Sequence, residues 1–598
     1  MFYTEAPLPT LLDIVERLAR PDVAAFPLLR LAVSRNVTIE SIEPYLQYLA
    51  CDMGFRAEVV LGGFDNFVQE SLGSAPDIFR GALDAVLVFT PLPALSPLLD
   101  TGFAGLSPVQ ADDECKRIVA LFGAVVNGIR AQTDAMILWH GMEVPVYAAL
   151  GIQDAQLQGG QAALVARLNE GLRAALAAVG NAFMVNTQAC LARVGARQFY
   201  DTRYWHLARA PYSRKGLAEI AFEDFKFIRS LKGRTRKCLV LDCDNTLWGG
   251  IVGEDGVAGI KLGQNHPGSA FVEFQQEVLS HYHRGVILAL CSKNNEEDVW
   301  EVFDKHPDMV LKREHIAAWR INWADKPSNL RALASQLNIG CDSLFFVDDS
   351  DFECNLVRQQ MPEVQVLQLP KERPGEYRWL LAACGAFDLP YLTEEDRQRG
   401  ALYQAENIRS LARTETTDLD AYCRSLGMAL EIGYADAFTI PRIAQQTQKT
   451  NQFNLTTRRY TEADIARFSE SAEHDVLWLK VTDKFGDMGI VGSCVVSYQG
   501  DAAVVGTLLM SCRALGRGVE ARFVSEVMHL ARQRGAQHML GQYIATAKNA
   551  QVAGFFVSLG FKATASDGEV GEWFTFDLES LPPIDAGVFS SVKVPPSA

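Results

Sequence analysis

The chain has 598 residues, of which 48% are hydrophobic, and it carries a formal net charge of −16. This length predicts about four domains, and the apolar content can fill several cores. The net acidity argues against a nucleic-acid partner, because binding to a phosphate backbone needs clustered Lys and Arg.

The sequence has no apolar run of roughly 18 residues, the length needed to span a membrane, so we expect no membrane span. Residues 1–20 lack the basic-then-apolar layout of a signal peptide. The twelve cysteines are scattered without a CxxC pair, which indicates neither a disulfide framework nor a zinc site. We therefore predict a cytoplasmic, multidomain globular protein.

In the first third of the chain, short apolar runs alternate with helical patterns. The runs cover residues 31–37, 84–89, 135–139 and 182–186. Apolar residues at helical spacing separate them, for example at 42–53. The alternation predicts a three-layer α/β domain over residues 1–215.

The order of these elements resembles the SGNH-hydrolase-like domain. An active hydrolase of that kind needs an early nucleophilic serine and a late Asp and His three residues apart, because the imidazole must reach the hydroxyl and be held by the carboxylate. Here Ser34 lacks the family's GDS context, and Asp201 and His206 are five residues apart. We therefore predict a degenerate domain that is retained for binding or as a scaffold.

Residues 237–250, with the sequence KCLVLDCDNTLWGG, predict a buried strand that runs into a glycine turn. Continuous apolar residues at 238–241 are typical of a central parallel strand, and ligands bind where such strands end. Asp242 and Asp244 follow at that end, where unpaired carboxylates are costly unless they hold a divalent cation and a phosphate. A strand-end Asx turn without chemistry is the alternative.

This stretch resembles the DxDx[TV] motif of the haloacid dehalogenase (HAD) phosphotransferase superfamily, and its extension DNTLWGG resembles the FkbH-like branch. The resemblance implies that Asp242 is the nucleophile that becomes aspartyl-phosphate and that Asp244 is the general acid and base. After the motif, a glycine-rich stretch from Gly253 to Gly263 favours a short hairpin flap over the site.

Two further motifs follow in the order that the superfamily has. The predicted strand 285–291 ends at Ser292, and the resemblance implies that Ser292, with Asn294, binds the phosphoryl oxygens; a helix N-cap is compatible with this role. The third motif requires a cation that neutralises charge on the transferred group. Lys326 is the best match and Lys293 the second candidate, with a solvated surface lysine as the alternative.

The fourth motif is the apolar run 343–347 followed by Asp348, Asp349 and, four residues later, Glu353. Crowded acids after a buried strand repel one another unless a cation compensates, so the pattern indicates a Mg²⁺ site. A solvated acidic turn is the alternative.

The resemblance implies that Mg²⁺ is held by Asp242, by the main-chain carbonyl of Asp244 and by Asp349, with Asp348 beside them. The four motifs predict a central HAD-like Rossmannoid parallel sheet over residues 232–375.

Beyond this domain, residues 376–435 predict a charged helical connector. Two later stretches, KTNQFNLTT at 449–457 and DKFGDMGIVG at 483–492, resemble signatures of FkbH-like proteins. Predicted strands from Leu477 to Met510 precede a predicted helix at 519–534. This order resembles the acyl-CoA N-acyltransferase (GNAT) fold, and it predicts an α+β domain over 436–580 with a flexible tail at 581–598.

The loop before that helix resembles the GNAT motif [RQ]xxGx[GA]. Backbone amides at a helix N-terminus can cradle a pyrophosphate, so Arg513, Gly516 and Gly518 are predicted to bind phosphopantetheine or CoA. Tyr543 and Glu520 are candidates for a general base. A purely structural α/β tail is the alternative.

Taken together, the chain resembles FkbH-like glyceryl transferase/phosphatases. The resemblance implies Mg²⁺ as cofactor, 1,3-bisphosphoglycerate as the phosphorylated substrate and an acyl carrier protein as the partner that receives the glyceryl unit. Cys243, between the two aspartates, is a hypothetical transient acyl carrier, with a buried strand-end thiol as the alternative. A simple small-molecule phosphatase and a non-catalytic carrier-protein docking scaffold are the rival functions.

Overall fold

In a computed structural model, the chain is described for residues 9–73, 77–392, 402, 419–450, 453–511, 514–546, 549–564, 571–584 and 587–596. These residues form three β-sheets with helices between the strands. Two compact units are present, one of Met1–Arg234 with Asp388–Pro390 and the other of Thr235–Phe387 with Tyr391–Ala598. The predicted multidomain α/β class is confirmed. No described helix is both long enough and apolar enough to cross a bilayer.

The described strands of the first unit form a five-stranded parallel sheet in the order β2-β1-β3-β4-β5. Its strands are β1 (Leu28–Arg35), β2 (Arg56–Leu61), β3 (Ala85–Phe89), β4 (Met136–His140) and β5 (Ala182–Val185). The central strands are buried on both faces, because helices cover the two sides of the sheet.

The helices of this unit are α1 (Leu11–Leu18), α2 (Glu43–Asp52), α3 (Phe67–Leu72), α4 (Leu92–Leu95), α5 (Pro108–Arg130), α6 (Gln161–Val179), α7 (Thr187–Val194), α8 (Ala196–Phe199), α9 (Thr202–Ala208) and α10 (Arg214–Leu231). The sequence places the end of the first domain at residue 215, but α10 continues the unit beyond that point. Ile220, Phe225 and Ile228 are buried in the same core as β1, so the helix cannot be separated from this sheet.

A second five-stranded parallel sheet, in the order β10-β9-β6-β7-β8, belongs to the second unit. Its described strands are β6 (Cys238–Leu241), β7 (Ile287–Ser292), β8 (Ile316–Ile321), β9 (Leu344–Asp348) and β10 (Gln365–Gln368). Around it lie α11 (Val252–Gly259), α12 (Gly268–His283), α13 (Glu296–Lys305), α14 (Lys326–Gln336), α15 (Asp351–Gln360) and α16 (Tyr377–Ala382). Because β6 is the middle strand, the residues after it lie at the centre of the carboxyl edge.

The predicted hairpin flap after β6 is wrong in its form. Gly249 and Lys261 do form an antiparallel bridge that closes the excursion, but α11 fills the interval, with a kink at Gly256 (φ 66°). The Asp255 carboxylate accepts from the Ile251 N–H at 2.9 Å and so caps the first turn. Local capping therefore overrides the low helix propensity of the glycines.

The described strands of the C-terminal region form an eight-stranded sheet in the order β16-β17-β15-β14-β13-β12-β11-β18. They are β11 (Ala429–Tyr434), β12 (His474–Asp483), β13 (Gly486–Gln499), β14 (Ala502–Met510), β15 (His538–Tyr543), β16 (Lys562–Thr564), β17 (Glu572–Asp577) and β18 (Ser591–Lys593). The helices are α17 (Leu419–Leu426), α18 (Ile440–Lys449), α19 (Glu462–Glu470), α20 (Val519–Gln533) and α21 (Phe555–Ser558). Most pairs are antiparallel, whereas β14 pairs β15 and β11 pairs β18 in parallel.

Two predictions at the borders of this sheet need correction. Residues 393–418 of the predicted connector lie outside the described residues, apart from Leu402, but both ends of the connector belong to folded layers. Tyr377 is buried in the core of the second sheet, and 429–434 is a strand rather than a helix. The predicted flexible tail contains β18, which pairs with the free edge of β11.

Candidate active site

The site lies where β6 ends, and it is built around Asp242. The Asp242 N–H donates to the carbonyl of Val347 at 3.0 Å, which fixes the residue between β6 and β9. The side chain is almost completely buried. Its Oδ1 accepts a hydrogen bond from Lys326 Nζ at 2.5 Å.

Lys326 is the first residue of α14, and Asp325 caps that helix by accepting from the Ser328 N–H at 2.9 Å. Only 2% of Lys326 is exposed, and its Nζ donates both to Asp242 and to the Cys291 carbonyl, the latter at 2.5 Å. Burial by itself would lower the pKa of Lys326, but the nearby carboxylates outweigh this and hold the pKa well above its usual range. The ammonium is therefore charged and anchored.

Three carboxylates meet at this edge. Asp242, Asp348 and Asp349 can each offer one oxygen so that the three atoms lie within 4.8 Å of one another. Oδ2 of Asp348 is buried without a hydrogen-bond donor, although it lies 3.2 Å from Nζ of Lys326. Burial and the charge of Asp242 raise the pKa of Asp348 to about 7 and that of Asp349 to about 6.

These observations test whether a divalent cation fits the site. The three acids outnumber the two lysines beside them, Lys326 and the exposed Lys371, whose Nζ lies 3.9 Å from Asp349. Oδ2 of Asp348 also has no hydrogen-bond donor. Closely spaced carboxylate oxygens are the ligands that Mg²⁺ prefers. The donor set therefore fits Mg²⁺, and the structure includes Asp348 as well as Asp349 in the group around Asp242.

The side chain of Asp244 points to the other side of the β6 end. Its Oδ1 accepts from Trp248 Nε1 at 2.8 Å and from the Val252 N–H at 3.0 Å, and its Oδ2 accepts from Asn294 Nδ2 at 2.8 Å. Burial raises the pKa of Asp244, against the opposing effect of these hydrogen bonds. A carboxyl group that is held in place and has a raised pKa suits a general acid.

Ser292 and Asn294 lie at the end of β7, next to this acid. Both are buried, and Asn294 Nδ2 lies 3.4 Å from Ser292 Oγ as well as bonding Asp244. The sequence predicted phosphate contacts for both residues, and the structure brings them to the same edge as Asp242. Lys293, the second candidate for the cation, instead pairs with Glu353 at 2.6 Å.

Sequence reasoning missed two residues that shape the site. The fully buried Trp248 holds Asp244 through its indole N–H, and the Tyr377 hydroxyl donates to the Asn245 carbonyl at 3.2 Å. The role of Trp248 is predictable from the sequence, because it stands four residues after Asp244 in a turn. At that spacing the indole N–H can contact the Asp244 carboxylate. Tyr377 gives no local signal, since it is 132 residues away in the chain.

The environment of Cys243 opposes the hypothesis that it carries an acyl group. The residue is 0% exposed, and burial, followed by the charge of Asp242, raises the pKa of its thiol well above the usual range. A neutral, enclosed thiol is a poor nucleophile. The alternative, a buried strand-end thiol, fits the geometry better.

The predicted phosphopantetheine site is described only in part, because Arg513 lies outside the described residues. Gly516 and Gly518 have φ values of 74° and 75°, the left-handed region that favours glycine. The Gly516 N–H donates to the carboxylate of Glu520 at 2.6 Å, so this amide already has an anionic partner within the chain.

The residues weighed for a hydrolase in the first unit do not form a catalytic triad. Ser34 is fully buried and donates to Glu70 at 3.0 Å. Asp201 caps α9 by accepting from the Tyr204 N–H at 3.0 Å, and His206 is exposed on that helix. Each of these side chains thus has a structural partner or faces solvent.

A scan against protein-family models and a search of curated proteins give no match to the chain. Among solved structures, the chain is similar to the N-terminal part of protein BF1531 from Bacteroides fragilis, which contains a phosphatase domain and was crystallised with Mg. The identity is 26% and the TM-score 0.59, over 64% of this chain and 100% of that one.

Two acetyltransferase structures match a smaller share of the chain. The ribosomal-protein-S18-alanine N-acetyltransferase from Escherichia coli is 12% identical over 24% of this chain and 90% of that one, with a TM-score of 0.19. The GNAT domain of S. lividans PAT is 16% identical over 24% of this chain and 89% of that one, with a TM-score of 0.21. Scores this low carry no argument about function.

Proposed function

We propose that the chain is a Mg²⁺-dependent HAD-type enzyme of the FkbH-like kind, which removes phosphate from 1,3-bisphosphoglycerate and delivers the glyceryl unit to the thiol of an acyl carrier protein. The observation that carries the phosphatase part is the cluster of Asp242, Asp348 and Asp349 around Lys326. The similarity to a Mg-complexed phosphatase domain supports the same chemistry.

In the proposed reaction, Asp242 attacks the phosphorus atom of the phosphate ester, not that of the acyl phosphate. The bond from this phosphorus to the ester oxygen of the glyceryl unit breaks. Asp244 gives its proton to the departing oxygen, which its raised pKa favours. Asp244 then takes a proton from water, which attacks the aspartyl-phosphate and releases inorganic phosphate.

Three residues of the chain position the phosphoryl group during these steps. Lys326 holds Asp242 and offsets negative charge, and Ser292 and Asn294 offer a hydroxyl and an amide at the neighbouring strand end. Asp242, Asp348 and Asp349 would hold Mg²⁺, which supplies charge neutralisation of the phosphoryl oxygens when bound.

The transfer of the glyceryl unit requires a second nucleophile. Because Cys243 is enclosed and its pKa is raised, we assign this role to the thiol of the carrier protein itself. The thiol gives up its proton to solvent, its sulfur forms a bond to the carbonyl carbon of the acyl phosphate, and inorganic phosphate leaves with the electron pair of the broken C–O bond. No enzyme-bound thioester is needed.

Incubation of the full chain with Mg²⁺, labelled 1,3-bisphosphoglycerate and a holo-carrier protein tests the proposal. We expect both release of inorganic phosphate and a mass increase of the carrier by one glyceryl unit, measured by mass spectrometry. Cys243→Ser should leave both within about threefold of the wild type, since a buried neutral thiol contributes no charge to the chemistry. Loss of carrier acylation alone in this variant would restore the acyl-carrier role of Cys243.

A small-molecule phosphatase is the second candidate. It is favoured by one observation, that every described residue placed in the phosphatase cluster lies between 242 and 349, and none of them belongs to the C-terminal sheet. Phosphate release without carrier acylation would select this candidate. Absence of Mg²⁺-dependent phosphate release would reject both.

A further inference from the structure

We infer that residues 453–457, within the KTNQFNLTT stretch, form an internal strap that fills a gap in the C-terminal sheet and closes it to an extended ligand. The parallel strands β14 and β15 pair through Ala502–Val505 and His538–Gly541. β14 then continues to Met510 and β15 to Tyr543 beyond this paired register. Where the two strands part, each presents backbone N–H and C=O groups to the gap.

The strap bonds both of these strand edges. On the β14 side, the Leu455 N–H donates to the Leu508 carbonyl at 3.2 Å, and the Met510 N–H donates to the Phe453 carbonyl at 3.0 Å. On the β15 side, the Ile544 N–H donates to the Leu455 carbonyl at 2.9 Å. The strap is thus held as an added strand would be held, by main-chain bonds on two sides.

Side chains fix the strap in place. Phe453 and Leu455 are buried in the main core of the module, and the Phe453 ring packs edge-on against Phe555 with centroids 5.0 Å apart. The fully buried Asn549 donates from Nδ2 to the Asn454 carbonyl at 3.0 Å. The occupied gap is therefore part of the folded core and not a surface groove.

The strap ends in a strained residue. Thr457 has φ 51°, a conformation that is rare for a β-branched residue, and its N–H donates to Asn454 Oδ1 at 2.8 Å. Strain of this kind persists only where surrounding contacts determine the conformation, and it is common at ligand clamps and switch segments. The chain accepts a strained turn in order to place 453–455 in the gap.

An anionic group of the chain also occupies the loop that follows β14. The Glu520 carboxylate accepts from the Gly516 N–H at 2.6 Å, at the start of α20. A ligand with an extended amide-bearing arm and a phosphate would need the amide at this loop and the strand edges at the gap. In this chain, Glu520 and the strap already use them.

The inference rests on the proposed function only for the choice of ligand, the pantetheine arm that CoA and carrier proteins share. With the strap in place, the Leu508 carbonyl and the Met510 and Ile544 amides already bond the strap and not this arm. The carrier arm therefore does not enter the C-terminal sheet, and the module acts as a self-liganded domain.

Calorimetric titration of the full chain with CoA tests this inference. We compare the wild type with a strap variant, Phe453→Ala combined with Leu455→Gly, and expect CoA to bind the variant at least tenfold more tightly. Hydrogen exchange at Leu455, Met510 and Ile544 confirms that the strap has been released in the variant. Ile465→Ala is the matched control, because Ile465 is fully buried in a separate small cluster, and it should bind CoA no better than the wild type.

Two results would overturn the inference: CoA binding by the wild type as tight as by the variant, or no binding by a folded variant whose strap amides exchange freely. If the variant does not fold, the wild type alone decides the question. Its amides at Leu455, Met510 and Ile544 should remain protected at millimolar CoA, and loss of protection on adding CoA would contradict a closed gap. Phosphate release in the same samples reports on the phosphatase proposal separately.

Discussion

The two parallel sheets each bury acidic residues at or beside the carboxyl edge, but the partners of these carboxyl groups differ. In the first unit, Asp224 of α10 lies 2.9 Å from His140 Nε2, and Glu143 accepts from the Tyr212 hydroxyl at 3.0 Å. His140 Nδ1 lies 2.9 Å from the Val88 carbonyl, so both ring nitrogens face acceptors. The ring and the carboxylate are thus partners of each other inside the first unit.

In the second sheet, Asp242, Asp348 and Asp349 share one buried lysine, and an oxygen of Asp348 has no donor. Oδ2 of Asp224 in the first unit also lacks a hydrogen-bond donor, so an orphaned oxygen does not separate the two sheets. The difference is the crowding at the second sheet, where three carboxylates place oxygens within 4.8 Å of one another. The comparison teaches that burial of an acid does not by itself identify a functional site. Several carboxylates crowded at one strand end are the more informative sign.

An Asp→Asn substitution at Asp242 should abolish activity and spare stability, whereas the same change at Asp224 in the first unit should lower stability and spare activity. Asp242→Asn removes the proposed nucleophile, and we expect phosphate release to fall by about 10³-fold or more. The fold should persist, because Lys326 keeps Asp348 and the Cys291 carbonyl as partners. An assay for phosphate and a thermal unfolding curve on one sample measure both effects.

The outcome that contradicts the nucleophile assignment is turnover within tenfold of the wild type. Asp351→Asn serves as the matched control, because Asp351 is an exposed acid near the same strand end and outside the cluster. It should retain phosphate release.

The central sheet could be predicted from sequence because its signals are local. Apolar runs fixed the strands, and the residue after each run fixed the position of Asp242, Ser292 and Asp348. Lys326 required the additional knowledge that a cation must join the acids, since a lysine ahead of a helix is common. These are the places where local pattern and tertiary contact agree.

The rest depended on contacts between distant residues. Glycines before α11 suggested a hairpin, yet a side-chain cap from Asp255 made a helix. The polar sequence around 453–457 does not predict that this strap lies within a sheet. Its position depends on the separation of β14 and β15, which are distant in the chain. Glu520 was considered as a base, whereas its position opposite Gly516 makes it an internal anion.

Asp224→Asn tests the other side of the comparison. The substitution replaces the buried carboxylate beside His140 by a neutral amide, so the ring loses one of its two oxygen partners or keeps a weaker one. We expect the first unit to lose about 3 kcal/mol of stability or more, measured by calorimetry. Phosphate release should remain within twofold, and a large loss of activity in folded protein would show that the two sheets do not differ as described.

The dependence of stability on Mg²⁺ and pH sharpens the comparison at the second sheet. The pKa values of Asp348 and Asp349, about 7 and about 6 in the folded protein, lie above the usual value of about 3.8. The folded state therefore binds protons more tightly, and the free energy of unfolding without metal falls as pH rises from about 4 through about 7. Mg²⁺ binds the ionised carboxylates, so its stabilisation should grow over the same range.

At a Mg²⁺ concentration 100 times its Kd, binding stabilises the folded state by about 2.7 kcal/mol. We expect Tm to be clearly higher in Mg²⁺ than in EDTA at about pH 8, in keeping with this gain in free energy. At about pH 5 the two Tm values should differ little. Asp348→Asn should reduce both the pH dependence without metal and the gain from Mg²⁺. Equal gains at the two pH values would show that these carboxylates do not bind the cation.

Glu143→Gln tests whether the buried carboxyl group of Glu143 is accommodated by protein groups alone, without a bound cation. Burial raises the pKa of Glu143 to about 7 from the usual 4.5, so its carboxylate lowers the free energy of unfolding progressively as pH rises from about 4.5 through about 7. Glutamine keeps an acceptor for the Tyr212 hydroxyl and cannot ionise. The variant should therefore lie within about 1 kcal/mol of the wild type near pH 5 and exceed its stability by roughly 3 kcal/mol near pH 8, in urea unfolding monitored by circular dichroism. Because Tyr212 and not a metal is the partner of Glu143, EDTA should change the unfolding curve of neither the wild type nor the variant where the first unit unfolds. A difference that depends on Mg²⁺ would place a second cation site at the first sheet. The contrast between the two sheets would then disappear.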